Sequence, residues 1–533
     1  MKKKGLLLTC VLLVLSIASI SAKGDAEPAS EQAAMNAPLV IAIEPDYFTF
    51  DPGYAYELYA PMVIGVVYDN LFEFTSGAAA PVPQLAESYT VSDNGLVYTF
   101  KLRKDAAFVS GNSVTATDVK FSFDRAINLK SNASALLDGV VSIDVIDNNT
   151  VSISLGKADS AFISKTTSTA YAVLDSAVVI EHGGVSDASA AQTDGAQNYL
   201  DHQSAGSGPY ILKSFTADDK LVMVRNENYW GDLPAFETII IQDMPDENAQ
   251  LLAVKAGDID IAFNLSSDQL SQFDSIEGVQ IISSTTMTMG FIMMHSDPEI
   301  GMQVSDPYVQ KAIRYAVDYK ELQTLIGAGT ITPESFIQVG FIGSKDSIDP
   351  SSQTDLTKAK SMLSKSVYPD GFSIDFRVCD LAPEGIPLTL IAEKIKSDLE
   401  KIGISINIVQ ETWGGGFGDA YRNRTVGFTA MYWGPDYNDP NTQLAFLPGQ
   451  YVGLRAGWTA DMNPALAAMY DTIVAETDNN VRTRLIEDVV TETGEDSPFI
   501  VYAQYPKYIA ASSMLKGVEY SNLYRLDLAA ISK

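Results

Sequence analysis

Cysteine and histidine are nearly absent from this chain of 533 residues, which holds two cysteines and three histidines. Cys10 sits inside an apolar run at the start, so removal of that run leaves Cys379 alone and no internal disulfide can form. The fold then rests on its apolar core, with Cys379 expected as a small buried strand residue. His182, His202 and His295 are scattered along the chain, against the clustering that a histidine metal centre needs. Basic residues are scarce as well: 36 Lys+Arg stand against 67 Asp+Glu, a net charge of −31. That field repels nucleic acid, whose phosphates call for grouped Lys and Arg. The acid is spread without long blocks, as on a solubilising surface.

Catalytic signatures are missing too. The sequence has no G-x-S-x-G elbow, no G-x-x-x-x-G-K-[ST] loop and no H-E-x-x-H pair. Gly414-Gly415-Gly416-Phe417-Gly418 is rich in glycine but lacks the dinucleotide spacing, and reads as a flexible loop. Carboxylates are so many that no pair stands out as a glycosidase dyad. Neither an enzyme, a cofactor nor a metal is expected.

What is present begins with Lys2, Lys3 and Lys4, an apolar stretch from Leu6 to Ile20 and the small-residue exit Ser19-Ile20-Ser21-Ala22. These are the parts of a secretory signal peptide, too short for a comfortable membrane span of about 20 apolar residues. Cleavage is expected near Ala22, and residues 23–37, rich in Ala and polar residues with little to bury, read as a disordered tether. Cys10 lies too early to accept a lipid anchor. The remaining length implies two or three domains.

Leu39 to Ile43 reads as an apolar strand, and Tyr98, Phe100 and Leu102 alternate with Thr99, Lys101 and Arg103 in another. Thr115 and Asp118 form a capping box before a helix carrying Val119, Phe123, Ala126 and Ile127 on one face. A further helix starts at Ser305-Asp306-Pro307. Phe372 to Val378 alternates as a strand, Ile391, Ile395, Leu399 and Ile402 follow at helical spacing up to Gly403, and Ile404, Ile406 and Ile408 alternate again. That succession is a β-α-β unit with parallel strands. The polar stretch from Glu181 to Ala196 reads as a surface loop.

Several stretches, in order along the chain, resemble the family 5 extracellular solute-binding proteins, the dipeptide- and oligopeptide-binding components of bacterial ABC importers. They are Leu96 to Arg125, Gly206-Ser207-Gly208-Pro209-Tyr210, Arg225 to Gly231, Lys255 to Asp260 and Lys311 to Asp318. One departure is Phe108-Val109-Ser110-Gly111, where the family often has a histidine and an acid. The resemblance implies an α/β periplasmic-binding-protein-like fold of cluster C type, two lobes joined by hinge strands with an extra domain inserted in the first lobe. By analogy, lobe one takes 38–75, 205–282 and 503–533, the inserted domain 76–204, and lobe two 283–502.

Trp433-Gly434-Pro435-Asp436-Tyr437-Asn438-Asp439-Pro440 resembles the family pattern in which the aspartate at the position of Asp436 pairs with a peptide's α-amino group. The resemblance further implies that Phe48 and Trp433-Gly434 offer main-chain edges to the ligand, and that Tyr47, Trp433 and Tyr437 wall the cleft. The implied function is capture of di- or oligopeptides in the periplasm by a monomer, for permease subunits driven by a cytoplasmic ATPase. Other solutes carried on this fold, such as oligosaccharides, opines or nickel complexes, are the alternative, and a secreted hydrolase is the third reading. On the signal-peptide reading, the intact mass of the exported protein should correspond to a chain beginning near Lys23 without lipid. A diacylglyceryl-cysteine adduct would mean that the signal had been misread.

Overall fold

Leu39–Ile43, an apolar run buried at almost every residue, forms strand β1 inside a ten-stranded sheet. The computed structural model describes residues 37–533 apart from 45–46, 48, 57–58, 76–79, 271, 273–275 and 523–524, and the side chains of 268 and 270. The signal peptide and nearly all of the tether lie outside the described residues, as does Phe48.

After β1 comes a two-residue ribbon, β2 (Phe72–Glu73) with β3 (Val82–Pro83). Strands β4 (Ala86–Val91), β5 (Val97–Leu102), β6 (Val140–Asp147) and β7 (Thr150–Leu155) build a separate antiparallel sheet in the order β4-β5-β7-β6. Tyr98, Phe100 and Leu102 of β5 point inward, the period-two burial that a pleated strand dictates. The helix Ala116–Leu129 shares their apolar cluster through Val119, Phe123 and Ala126, and the Thr115–Asp118 capping box closes its first turn.

The large sheet has two halves. In the first, β8 (Tyr210–Thr216), β9 (Lys220–Arg225) and β10 (Thr238–Asp243) run antiparallel, while β1 lies parallel to β10 and to β11 (Ile261–Ala262). In the second, β13 (Phe372–Cys379) pairs in parallel with β14 (Ile404–Glu411) over eight residues and meets β15 (Phe428–Trp433) on its other side. The crossover between β13 and β14 is the helix Leu388–Glu400, with Gly403 at φ 86° turning the chain back. Two long strands, β12 (Val279–Met294) and β16 (Phe499–Ser512), run antiparallel through both halves. The full order is β14-β13-β15-β12-β16-β11-β1-β10-β9-β8. Separate apolar clusters fill the first half, the second half and the small sheet. Cys379 is buried at the end of β13.

Two expected loops are more ordered than their composition suggests. Trp413–Phe417 forms a wide helical turn leading into the helix Gly418–Arg422, because the Trp413 amide bonds Asp380 at 2.8 Å and its ring packs near Phe417. The polar segment after Glu181 carries Asp194, which accepts from the buried Arg125 Nε at 2.8 Å, while Asp51 takes the same guanidinium in a two-pronged pair at 2.7 and 2.8 Å. All three side chains are at most 1% exposed; the guanidinium offsets one of the two carboxylate charges, and the amides of Gly53, Val185 and Ala196 donate to the carboxylates as well.

Near the ribbon, Asp69 is fully buried and accepts from Ser207, Trp230 and Gln84 at 2.8, 2.8 and 3.0 Å. Burial raises its carboxyl to about 6 against those bonds. Burial, with Asp69 and Asp527 nearby, raises Glu73 to about 7. An acid whose folded pKa exceeds its unfolded one stabilises the fold fully below the unfolded value, and that contribution is lost as pH rises through the folded value. Glu73→Gln should therefore raise stability at pH 8 by roughly 2 kcal/mol. It should change little at pH 4, so its melting temperature should vary less between pH 5 and 8 than the wild type's. Parallel pH profiles for the two proteins would refute this.

Candidate ligand-binding cleft

Strand β15 ends where Gly434 and Pro435 break the ladder, and the chain turns at the cleft before Asp439 caps the short helix Pro440–Phe446 through the Asn441 amide at 2.9 Å. That turn is pinned from behind. Arg482, 2% exposed, donates from Nη1 to Asp439 Oδ2 at 2.9 Å and from Nη2 to Asn441 Oδ1 at 2.7 Å, with a further bond to Asp439 Oδ1. Asp436 is thereby set at the wall of a cavity of about 570 Å³.

Both halves of the sheet line this cavity. Tyr56, Tyr59 and Glu247 face it from the first; Thr288, Glu384 and Asp436 face it from the second. Across it the Tyr56 hydroxyl donates to Asp436 Oδ1 at 2.8 Å. Burial together with Asp436 keeps the Tyr56 proton in place, so the phenol is the donor. Burial raises the Asp436 carboxyl above its ordinary value, while the Tyr56 bond and Lys165 act against that rise. Lys507 reaches the cavity from β16, with Nζ 3.5 Å from Glu384 Oε2. Burial opposes its charge, but Tyr59 and Glu384 outweigh that and hold it above the ordinary lysine value.

The residues singled out in the sequence separate here. Asp436 and Gly434 line the cavity. Trp433 stands behind it, half-buried, its ring against Phe446 and Tyr451. Tyr437 is half-buried beneath Lys165, whose ammonium lies 5.1 Å from the ring centre. Tyr47 belongs to the core of the first half: its hydroxyl donates to Asp243 at 2.7 Å and its ring packs on Phe50 and Phe215. Tyr56, Tyr59 and Tyr432 present the aromatic faces instead. Lys507 had one signal in the sequence, a lone cation inside the run Phe499–Ser512, whereas nothing local marked Tyr56 or Glu384. Asp318, Glu321 and Asp398 group closely enough for a cation, but Lys394 already bridges Glu321 and Asp398, and Lys401 also pairs with Asp398.

Residues 80–452 match the profile described as bacterial extracellular solute-binding proteins, family 5 middle. The chain belongs to this family. It is a transport binding protein that works with an ABC transporter, not an enzyme. It is 26% identical over 484 residues to heme-binding protein A of Haemophilus influenzae, covering 85% of this chain and 84% of that one. To the probable D,D-dipeptide-binding periplasmic protein DdpA of Escherichia coli it is 25% identical over 485 residues, 90% of each. The solved HbpA2 of Haemophilus parasuis superposes with a TM-score of 0.80 at 22% identity, covering 93% of this chain and 99% of that one. The fold is that of the cluster C periplasmic binding proteins. Among the described residues, no helix is long and apolar enough to cross a membrane.

In this family 5 protein the Tyr56–Asp436 bond ties the two halves together across the cleft. Tyr56→Phe keeps the ring and removes the bond, which should shift the ligand-free population toward an open cleft by about fivefold, the worth of one hydrogen bond. Small-angle scattering should then give a larger radius of gyration for the variant. An identical radius would show that this bond does not hold the halves.

Proposed function

We propose that the protein captures short peptides in the cleft, in the periplasm, and hands them to the permease subunits of an ABC importer. The two halves then act as lobes with the ranges set out above, the small sheet being the domain inserted in lobe one. The observation that carries this reading is Asp436, a carboxylate on the wall of a cavity between the halves, on a turn fixed by a buried ion pair. A carboxylate so placed can hold an ammonium in a charge-assisted bond and orient a peptide without reading its side chains. The cavity volume lies within the common range for small-molecule sites, about 300–1,000 Å³. The name of the E. coli relative, a probable dipeptide binder, supports the same substrate class.

Asp436→Ala would leave the ligand's ammonium buried without a partner, a loss of about 3–5 kcal/mol or at least a hundredfold in affinity. N-acetylating the peptide should weaken binding to wild type comparably, and should add little to the loss in the variant. Calorimetry on the two proteins with the two ligands gives the four affinities. Equal binding of acetylated and free peptides by wild type would reject the amine anchor and move a non-peptide solute ahead.

A further inference from the structure

Lys507 is a charged residue in a strand that is otherwise almost wholly apolar and buried. It pairs with Ser284 of β12, just short of the place where the two strands lose register. Its side chain is 8% exposed, lines the cavity, and has the Phe263 ring 4.7 Å away. An ammonium taken so far out of water needs a close anion. Glu384 Oε2 stands at 3.5 Å, well beyond the roughly 2.7–2.9 Å of a charge-assisted bond. Arg525 lines the same end of the cavity, with Nη1 2.7 Å from the Tyr520 hydroxyl, and adds a second positive charge there.

Glu384 comes from the opposite half of the sheet. It sits between Pro383 and Gly385 with φ 49°, a left-handed backbone that is uncommon outside glycine, and takes a hydrogen bond from Thr288 Oγ1 at 2.9 Å. Elsewhere on the cavity wall, Asp436 is met by a donor from its opposite half, Tyr56. Asp436 and Lys507 are thus each faced across the gap by a group of complementary kind: a hydroxyl donor for the carboxylate, a carboxylate for the ammonium.

We propose that Lys507 is the subsite for a carboxylate of the ligand, so that the cleft selects a zwitterion with its amine at Asp436 and its acid at Lys507. Tyr56 and Glu384 hold those two places while the cleft is empty. The assignment rests on the peptide reading above and adds the far end of the ligand to it. A peptide whose two termini both reach their subsites is short, and a free C-terminus becomes a requirement rather than a tolerated feature.

The probes are trialanine and a pool of random di- to pentapeptides, each in free, N-acetylated and C-amidated form, with binding to the full mature chain read by native mass spectrometry and calorimetry. Amidation should weaken binding to wild type on the order of tenfold to a hundredfold. In Lys507→Met, with folding checked by circular dichroism, amidation should change affinity by less than about threefold, since the partner is already gone. Glu384→Gln should tighten the free acid and leave the amide unchanged. If wild type binds amides as well as free acids while still rejecting acetylated peptides, the Lys507 subsite is wrong and the amine anchor stands. If no form of any peptide is retained, or all forms bind alike, the peptide reading falls and this assignment with it. Should Lys507→Met fail to fold, the ligand comparison on wild type and the selective tightening expected of Glu384→Gln, which acts on Lys507 directly, still test the assignment.

Discussion

Everything in this molecule hangs on two strands that belong to both halves at once. β12 and β16 pair from Val279↔Ser512 to Thr285↔Pro506, lose register, and pair again from Met289↔Gln504 to Met293↔Phe499. A break in a ladder strands buried backbone groups, and each must find another partner. Here side chains supply them. Gln504 Nε2 donates to the carbonyls of Thr286 and Val339 at 2.7 and 3.1 Å, Gln338 donates to Met287 O at 2.8 Å, and Asn522 accepts from the Met287 amide at 2.9 Å. The interruption is built rather than tolerated, and Met287 and Thr288 at its centre line the ligand cavity. On the lobe reading proposed above, rotation about such an irregularity would disturb the fewest ladder bonds, so any opening of the cleft would turn there.

Away from that axis, buried ion pairs fix the surroundings so that movement can be confined to it. Arg125 ties Asp51 to Asp194, joining the loop after β1, the helix of the small sheet and a polar segment that would otherwise be held by little. Arg482 does the same for the turn that carries Asp436. Each guanidinium meets a carboxylate through two of its nitrogens, the geometry in which burying both charges comes nearest to breaking even. Lys507 differs: a point charge at long range from its partner, inside a cavity. Arg125 and Arg482 are each closely paired with carboxylates, and buried Arg314 is held by the carbonyls of Ser497 and Phe499 at 2.8 Å, whereas Lys507 faces a cavity that a ligand can enter.

How much of this was legible in the sequence follows from the range of the forces involved. The strand Val97–Leu102, the Thr115–Asp118 cap and the β-α-β unit from Phe372 to Glu411 could be read because burial period and capping are decided within a few residues. Asp436 was found through a resemblance in its short motif, and the structure puts it on the cavity wall. Tyr47 was expected at the cleft, but its hydroxyl finds Asp243, 196 residues away, and the ring follows it into the core. The glycines after Trp413 read as a flexible loop because nothing nearby shows that Asp380 will hold the first amide of a helical turn. Tyr56 and Glu384 were invisible for the same reason: each meets a residue of the other half that lies far away in the chain.

The charge on the cleft narrows what can enter. Glu44, Glu247, Asp380, Glu384 and Asp436 line it against only Lys507 and Arg525 among the described residues, inside a molecule of net charge −31. Burial raises the Glu247 carboxyl, and the neighbouring Glu44 adds to the rise, so further negative charge is disfavoured there. A ligand bearing anions alone would approach against the field and bring more negative charge to a place short of cations. One carrying an ammonium as well relieves Asp436 as it delivers its acid to Lys507. The same few charges that orient a zwitterion in the cavity thus also exclude its purely acidic competitors, and they do so without any contact to a side chain of the ligand.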